Sequence, residues 1–216
     1  MERRTALKNM GKVFGFAVAT PTFLSILESC QNSQFADWTP KFFSEDQGEF
    51  VGRMLDVLLP KTDTPSATEL NVHVFIDELA NATFDDARKA EVQMLLNACM
   101  GQTLSMSSVD SPNDLSDEMI ANALTSFYGE LDEETAQKHA EASRAYQMAK
   151  MNGEEASLEE EVAARSFANE IRNLAISAYK NTEYIGEEVL AYLPVPGPYV
   201  GCADVEELTQ GRAWSL

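Results

Sequence analysis

Ser44-Glu45-Asp46-Gln47-Gly48-Glu49-Phe50-Val51-Gly52-Arg53-Met54-Leu55-Asp56-Val57-Leu58-Leu59-Pro60 contains a helix with both of its boundaries written in. Ser44 and Gln47 stand at the spacing of a capping box, in which each side chain bonds the other residue's amide. Phe50, Val51, Met54, Leu55 and Leu58 then recur at helical spacing, so one face is apolar. Pro60 has no amide hydrogen to give a helix and stops it. Outward from this stretch the same period returns. Residues 61–68 form a polar loop bearing Pro65. Residues 72–82 place Val72, Phe75, Ile76 and Leu79 on one face. Asp85 and Asp86 open a third helix through Val92, Leu95, Leu96 and Cys99, with an expected end at Gly101. Acidic residues in a first turn suit the positive end of the helix dipole.

Residues 102–114 read as a loop rich in Ser and Thr, with Pro112 inside it. Met119, Ile120, Leu124 and Phe127 mark a further helix before Gly129. Residues 132–150 are polar and rich in alanine, which predicts a partly exposed helix ended by Gly153. Residues 157–180 carry Leu158, Val162, Phe167, Ile171, Leu174, Ile176 and Ala178 and read as the longest core helix. A short helix over 185–192 follows, and the proline-rich stretch 194–199 should run extended over the surface. No alternating strand pattern and no internal repeat occurs. The expectation is a single irregular all-α domain of about six helices over 43–216, with an extended tail.

Residues 1–29 have the plan of an export signal. Arg3-Arg4-Thr5-Ala6-Leu7-Lys8 is a basic start, residues 13–27 are an apolar run, and the small Ser29 stands before Cys30. The paired arginines, with Leu7 and Lys8, resemble the signal of the bacterial twin-arginine pathway, which carries folded proteins. A spanning helix needs about 20 apolar residues, and the run from 13 to 27 is shorter and contains Pro21. Leu27-Glu28-Ser29-Cys30 resembles a lipobox, although Glu28 is an unusual occupant. Lipidation of Cys30 would leave residues 30–42 as a tether from a membrane, "anchored to" and not "spanning". The expected location is the periplasmic face of a bacterial envelope membrane.

The chain carries 16 Lys and Arg against 35 Asp and Glu, a formal net charge of −19. Signal removal would take four basic residues and two acidic ones, leaving the rest more acidic still. Nucleic acid and anionic lipid surfaces require cationic patches, so both are excluded as partners. The acidic surface serves either solubility or the steering of a basic partner such as a positively charged electron carrier. Three cysteines are present. With Cys30 assigned to lipid, Cys99 and Cys202 are either bridged or two separate thiols. A bridge would close a loop worth up to ~4.7 kcal/mol in the chain-entropy picture.

Chemistry-bearing motifs are scarce. His73 and Asp77 stand at i,i+4, with Asn81 a further four on, a weak metal or acid–base pairing without the second His or Glu that zinc needs. His73 and His139 are therefore expected in ordinary surface or capping roles. Dinucleotide and phosphate-loop glycine patterns are absent, as are haem-attachment, iron–sulfur and nucleophile-elbow motifs. The acidic run at 154–161 lacks calcium-loop spacing and reads as a solvated helix start. An export signal of a type used for cofactor proteins thus heads a chain with no cofactor motif, which points to a partner.

Several stretches together resemble a known family. They are Arg3-Arg4-Thr5-Ala6-Leu7-Lys8, the stretch from Phe50-Val51 to Leu58-Leu59-Pro60-Lys61-Thr62-Asp63-Thr64-Pro65, and Val72 to Leu79 with Phe75-Ile76-Asp77. The tail Leu193-Pro194-Val195-Pro196-Gly197-Pro198-Tyr199-Val200-Gly201-Cys202 and Gly211-Arg212-Ala213-Trp214-Ser215-Leu216 complete the set. They resemble the small subunit of membrane-associated gluconate 2-dehydrogenase, subunit 3 or gamma. The resemblance implies a helical accessory protein bound to a large FAD-containing dehydrogenase of the glucose–methanol–choline type. That partner oxidises a sugar or sugar-acid hydroxyl and passes electrons to a cytochrome c subunit or another acceptor. The small subunit carries the twin-arginine signal, escorts its partner and has no catalytic residues to carry over. A lipobox is not a general feature of it. Pro60, Thr62, Asp63, Thr64 and Pro65, with Pro196, Gly197, Pro198 and Tyr199, are candidates for partner contact, and equally for ordinary surface connections. The alternative is a stand-alone envelope lipoprotein acting as a ligand-binding or scaffold protein.

Overall fold

A computed structural model of the chain describes residues 38–215, apart from residues 155, 194, 196 and 198–201. The signal residues Arg3, Arg4, Leu7 and Lys8, the lipidation candidate Cys30, and Pro196, Pro198 and Tyr199 of the tail lie outside the described residues. Contacts divide the chain after Thr39, and the compact unit begins at Pro40.

Seven α-helices form among the described residues: α1 (Glu45–Leu58), α2 (Val72–Thr83), α3 (Asp86–Ser107), α4 (Asp117–Tyr128), α5 (Glu133–Met151), α6 (Glu160–Lys180) and α7 (Val205–Thr209). A 3-10 turn, Pro112–Asp114, precedes α4, and a π-helical turn, Tyr184–Val189, follows α6. No strand forms among them beyond one isolated parallel bridge between Ala191 and Trp214. The all-α expectation stands. The capping box of α1 is built as its spacing implied, with the Gln47 amide donating to Ser44 Oγ at 3.2 Å and the Ser44 amide to Gln47 Oε1 at 3.0 Å.

The most extensive packing is between α3 and α6, and α1, α2 and α4 close around this pair. Ala164, Ala168 and Ala175 on α6 are fully buried, and side chains this small let the neighbouring helices approach closely. Val51, Met54 and Leu55 of α1 and Leu96 of α3 complete the core without exposure, each side chain gaining about 1.5–3 kcal/mol on burial. Arg53 Nε and Nη2 donate to Asp117 Oδ1 at 3.0 and 2.8 Å, tying α1 to α4. Arg165 caps α4 by donating Nη1 to the carbonyls of Phe127 and Gly129 at 2.8 and 3.1 Å, two of the acceptors that a helix end leaves without partners.

Helix α5 buries only Tyr146, in keeping with its polar sequence. It is held largely by charge. Glu91 of α3 takes Arg88 Nη1 at 2.6 Å and Lys150 Nζ of α5 at 2.7 Å, and Arg88 also pairs with Glu170 of α6. Burial pushes the Glu91 carboxyl up, but the bonds from Lys150 and Arg88 together outweigh it and hold the group below its ordinary value.

Four features differ from expectation. Helix α3 does not end at Gly101 but runs to Ser107, and so becomes the longest helix. The polar residues beyond Gly101 remain helical because Thr103 is buried and bonds back to the Cys99 carbonyl at 2.8 Å. Gly101 marks a close approach instead, since a Cβ there would lie 3.3 Å from Glu160 Oε1 at the start of α6. On α2, Phe75 is exposed while His73 and Asp77 face inward. On α6, Ile176 is exposed and Ala175 takes the inner position. Finally, residues 41–42, read as the end of a tether, are bonded into the compact unit through Asp77.

Candidate functional site

The domain is fastened at its entry by Asp77. Its carboxylate, with no exposure to solvent, accepts the amides of Lys41 at 2.7 Å, Phe42 at 2.9 Å and Phe43 at 3.0 Å. Three amides converging on one buried carboxylate compensate its lost hydration. The strap so held lays Phe42 against Phe43 and edge-on to Phe84, over an apolar cleft lined by Ile76, Phe167 and Ile171. His73, one turn before Asp77, is buried rather than in the surface role expected of it. Burial lowers its pKa from the ordinary 6.5, against the pull of Asp56 and Asp77 towards the charged form. The His73–Asp77 spacing therefore serves the interior. No group of three or more His, Cys, Asp and Glu among the described residues is arranged to hold a metal ion.

The loop after α1 is tightly self-bonded. Ala67 N donates to the Leu59 carbonyl at 3.1 Å and Thr62 N to the Thr64 carbonyl at 2.9 Å. Asp56 accepts the Thr68 amide at 2.9 Å and its hydroxyl at 2.5 Å. Glu69 accepts Lys61 Nζ at 2.5 Å and the Ser66 amide at 2.9 Å, and these bonds hold its carboxyl below the ordinary value. From the last turn of α6, Tyr179 Oη reaches the Pro65 carbonyl at 2.7 Å and Thr64 Oγ1 at 2.9 Å. Thr64 and Pro65 are thus half-buried against their own domain, whereas Pro60, Thr62 and Asp63 are exposed.

Beside this loop an open groove of about 490 Å³ runs between Glu69, Leu70 and Asn71 on one side and Thr182, Tyr184 and Glu187 on the other. The C-terminal segment closes onto the same π-helical turn. Ala191 N donates to the Ala213 carbonyl at 2.8 Å and Ser215 N to the Ala191 carbonyl at 3.0 Å. Arg212 Nη1 reaches the carbonyl of Leu190 at 3.3 Å. A Cβ on Gly186 would stand 3.4 Å from Ser215 Oγ, so the last residues lie directly over that turn. The short helix α7 in this segment carried no periodic signal; its cap is Asp204, which accepts the Glu206 amide at 2.9 Å.

The 60–65 loop and the fold-back of the C-terminal segment are thereby both packed near the last turn of α6. Tyr179 and the groove join the 60–65 loop to the segment that precedes and follows the proline-rich tail. Gly197 is the tail candidate that falls among the described residues, and it adopts φ +67°, the left-handed region that glycine tolerates. Tyr179 and Arg212, which build this end, were not singled out by sequence reasoning. Cys99 is buried in α3 and Cys202 is exposed, and both are free thiols, so no bridge joins them here. Burial pushes the Cys99 thiol up to about 12, despite the hydroxyl of Thr103 beside it.

The described residues thus define an all-α domain with a strapped core and one end that mixes a loop, a groove and a folded-back C-terminus. The family model described as gluconate 2-dehydrogenase subunit 3 matches residues 45–197, and the chain belongs to that family. It is an accessory subunit of a dehydrogenase complex. No curated protein and no solved structure matches the chain.

Proposed function

We propose that this chain is the non-catalytic small subunit of a membrane-associated, FAD-dependent sugar or sugar-acid dehydrogenase resembling gluconate 2-dehydrogenase. Membership of the subunit 3 family over residues 45–197 carries the reading. The FAD belongs to a glucose–methanol–choline-type partner, and a cytochrome c subunit or another acceptor takes the electrons. This chain stabilises the flavoprotein and escorts it through twin-arginine export, using the signal at Arg3 and Arg4. Cys30 anchors the complex at the periplasmic face. The exposed Pro60, Thr62 and Asp63 and the tail around Gly197 contribute partner contacts. Support for a shared signal comes from the sequence, which joins an export-type start to a domain with no motif for FAD, haem or an iron–sulfur cluster.

The test of the escort role is Arg3→Lys together with Arg4→Lys in cells that also make the flavoprotein. The flavoprotein is expected to stay in the cytoplasm with its FAD bound. Undiminished flavoprotein in the periplasm would refute the escort role.

A further inference from the structure

The exposed apolar residues of the domain are concentrated where the chain folds back. Tyr184, Tyr192, Leu193, Val205, Leu208 and Trp214 are between 38% and 61% exposed, a high value for side chains of this size. The Ala191–Trp214 bridge and the Arg212 bond to Leu190 gather their backbones at one end. Scattered single apolar residues are ordinary on a surface, whereas a cluster of them marks an interaction site. Around them acidic side chains outnumber basic ones, with Arg212, bonded to the Leu190 carbonyl, the basic group of the fold-back. Residues 181–211 contain no Lys or Arg, while Glu183, Glu187, Glu188, Glu206 and Glu207 are all exposed. The groove beside Tyr184 adds Glu69, itself paired with Lys61, to the same border.

We infer that this end docks onto an apolar patch of the flavoprotein that is rimmed by Lys and Arg, an inference that rests on the accessory-subunit reading above. The aromatic and aliphatic residues supply the dry centre, with Tyr and Trp the types that carry most energy in such centres. The glutamates supply a rim that selects a basic partner and speeds its encounter. A second copy of this chain is disfavoured as the occupant, because two acidic rims would face each other. An anionic lipid surface is disfavoured for the same reason. The groove of about 490 Å³ next to Tyr184 is large enough to receive one long basic side chain of the partner.

The experiment is a titration of the full chain against its flavoprotein subunit at low and high salt, by calorimetry. Tyr184→Ser with Trp214→Ser is expected to weaken binding about tenfold or more. Glu187→Lys with Glu188→Lys is expected to weaken it similarly at low salt and to flatten the salt dependence shown by the unmodified chain. Glu134→Lys, on the exposed face of α5, should change affinity less than about twofold. Thermal melts of each free variant check folding, and the Glu187/Glu188 pair, being exposed, keeps the test open if the aromatic pair fails to fold. Binding by the unmodified chain with both variant pairs unaffected would overturn this docking end while leaving the accessory role intact. Self-association through these residues would also overturn it. No binding by the unmodified chain at low salt would overturn both.

Discussion

Replacing Asp77 by Ala should be among the most damaging single changes in the domain, and its cost follows from three bonds. The carboxylate accepts the amides of Lys41, Phe42 and Phe43 at 2.7–3.0 Å. A hydrogen bond to a charged group contributes about 1.5–3 kcal/mol net. Without the carboxylate, the part-buried amides of Lys41 and Phe42 recover some of this from water, but the buried amide of Phe43 is left unsatisfied, at about 1–3 kcal/mol. Relief from burying a charge offsets part of the loss. The expected sum is about 3–5 kcal/mol. At about 2–4 °C per kcal/mol for a domain of this size, the melting temperature should fall by roughly 6–20 °C. Asp77→Asn keeps Oδ1 for Phe42 and Phe43 but turns a donor towards Lys41 N, so its loss should lie between wild type and Ala. Urea unfolding followed by circular dichroism measures both. Amide exchange at residues 41–43 should accelerate before global unfolding. A cost below about 1 kcal/mol for Asp77→Ala would refute the strap as a structural element.

Acid should weaken the fold in two stages. His73 titrates below its ordinary 6.5 when folded, so the stability it brings is complete above 6.5 and is lost as pH falls through the lower folded value. Glu91, also depressed, keeps its contribution down to its ordinary 4.5 and loses it below. Urea midpoints against pH should show both stages for wild type, whereas His73→Gln and Glu91→Gln should each lose one. Gly101→Ala should stabilise by about 0.5–1 kcal/mol through helix propensity, because the contact it meets is the mobile end of Glu160; destabilisation in a thermal melt would mean that this contact is rigid. Alkylation of the native protein, read by mass spectrometry, should modify Cys202 readily and Cys99 only after unfolding, since the Cys99 thiol is buried and held protonated.

The helices were legible because their signals are local. The capping box at Ser44 and Gln47, the stop at Pro60 and the apolar period of α6 each act within a few residues. What escaped was set by distant partners. Gly101 looked like a terminator, but the helix continues past it because Thr103 is buried against α3's own Cys99 carbonyl and the rest of the core. His73 looked like a surface or capping residue and Asp77 only its weak partner, because the amides that donate to Asp77 belong to residues 41–43. The fold-back of the C-terminus depends on a two-residue bridge and on one arginine meeting backbone carbonyls, and neither has a period to read. At the candidate site, sequence picked out the 60–65 loop and the tail, but Tyr179, which ties that loop to the last turn of α6, gave no signal of its own.

The central claim is that this domain works as part of a flavin dehydrogenase. Size-exclusion chromatography of the co-expressed chain and flavoprotein, followed at 280 and about 450 nm, tests it directly. Flavin absorbance should elute with this chain in a single complex. Elution of the chain alone at monomer size, beside a flavoprotein that is stable and active without it, would contradict the account.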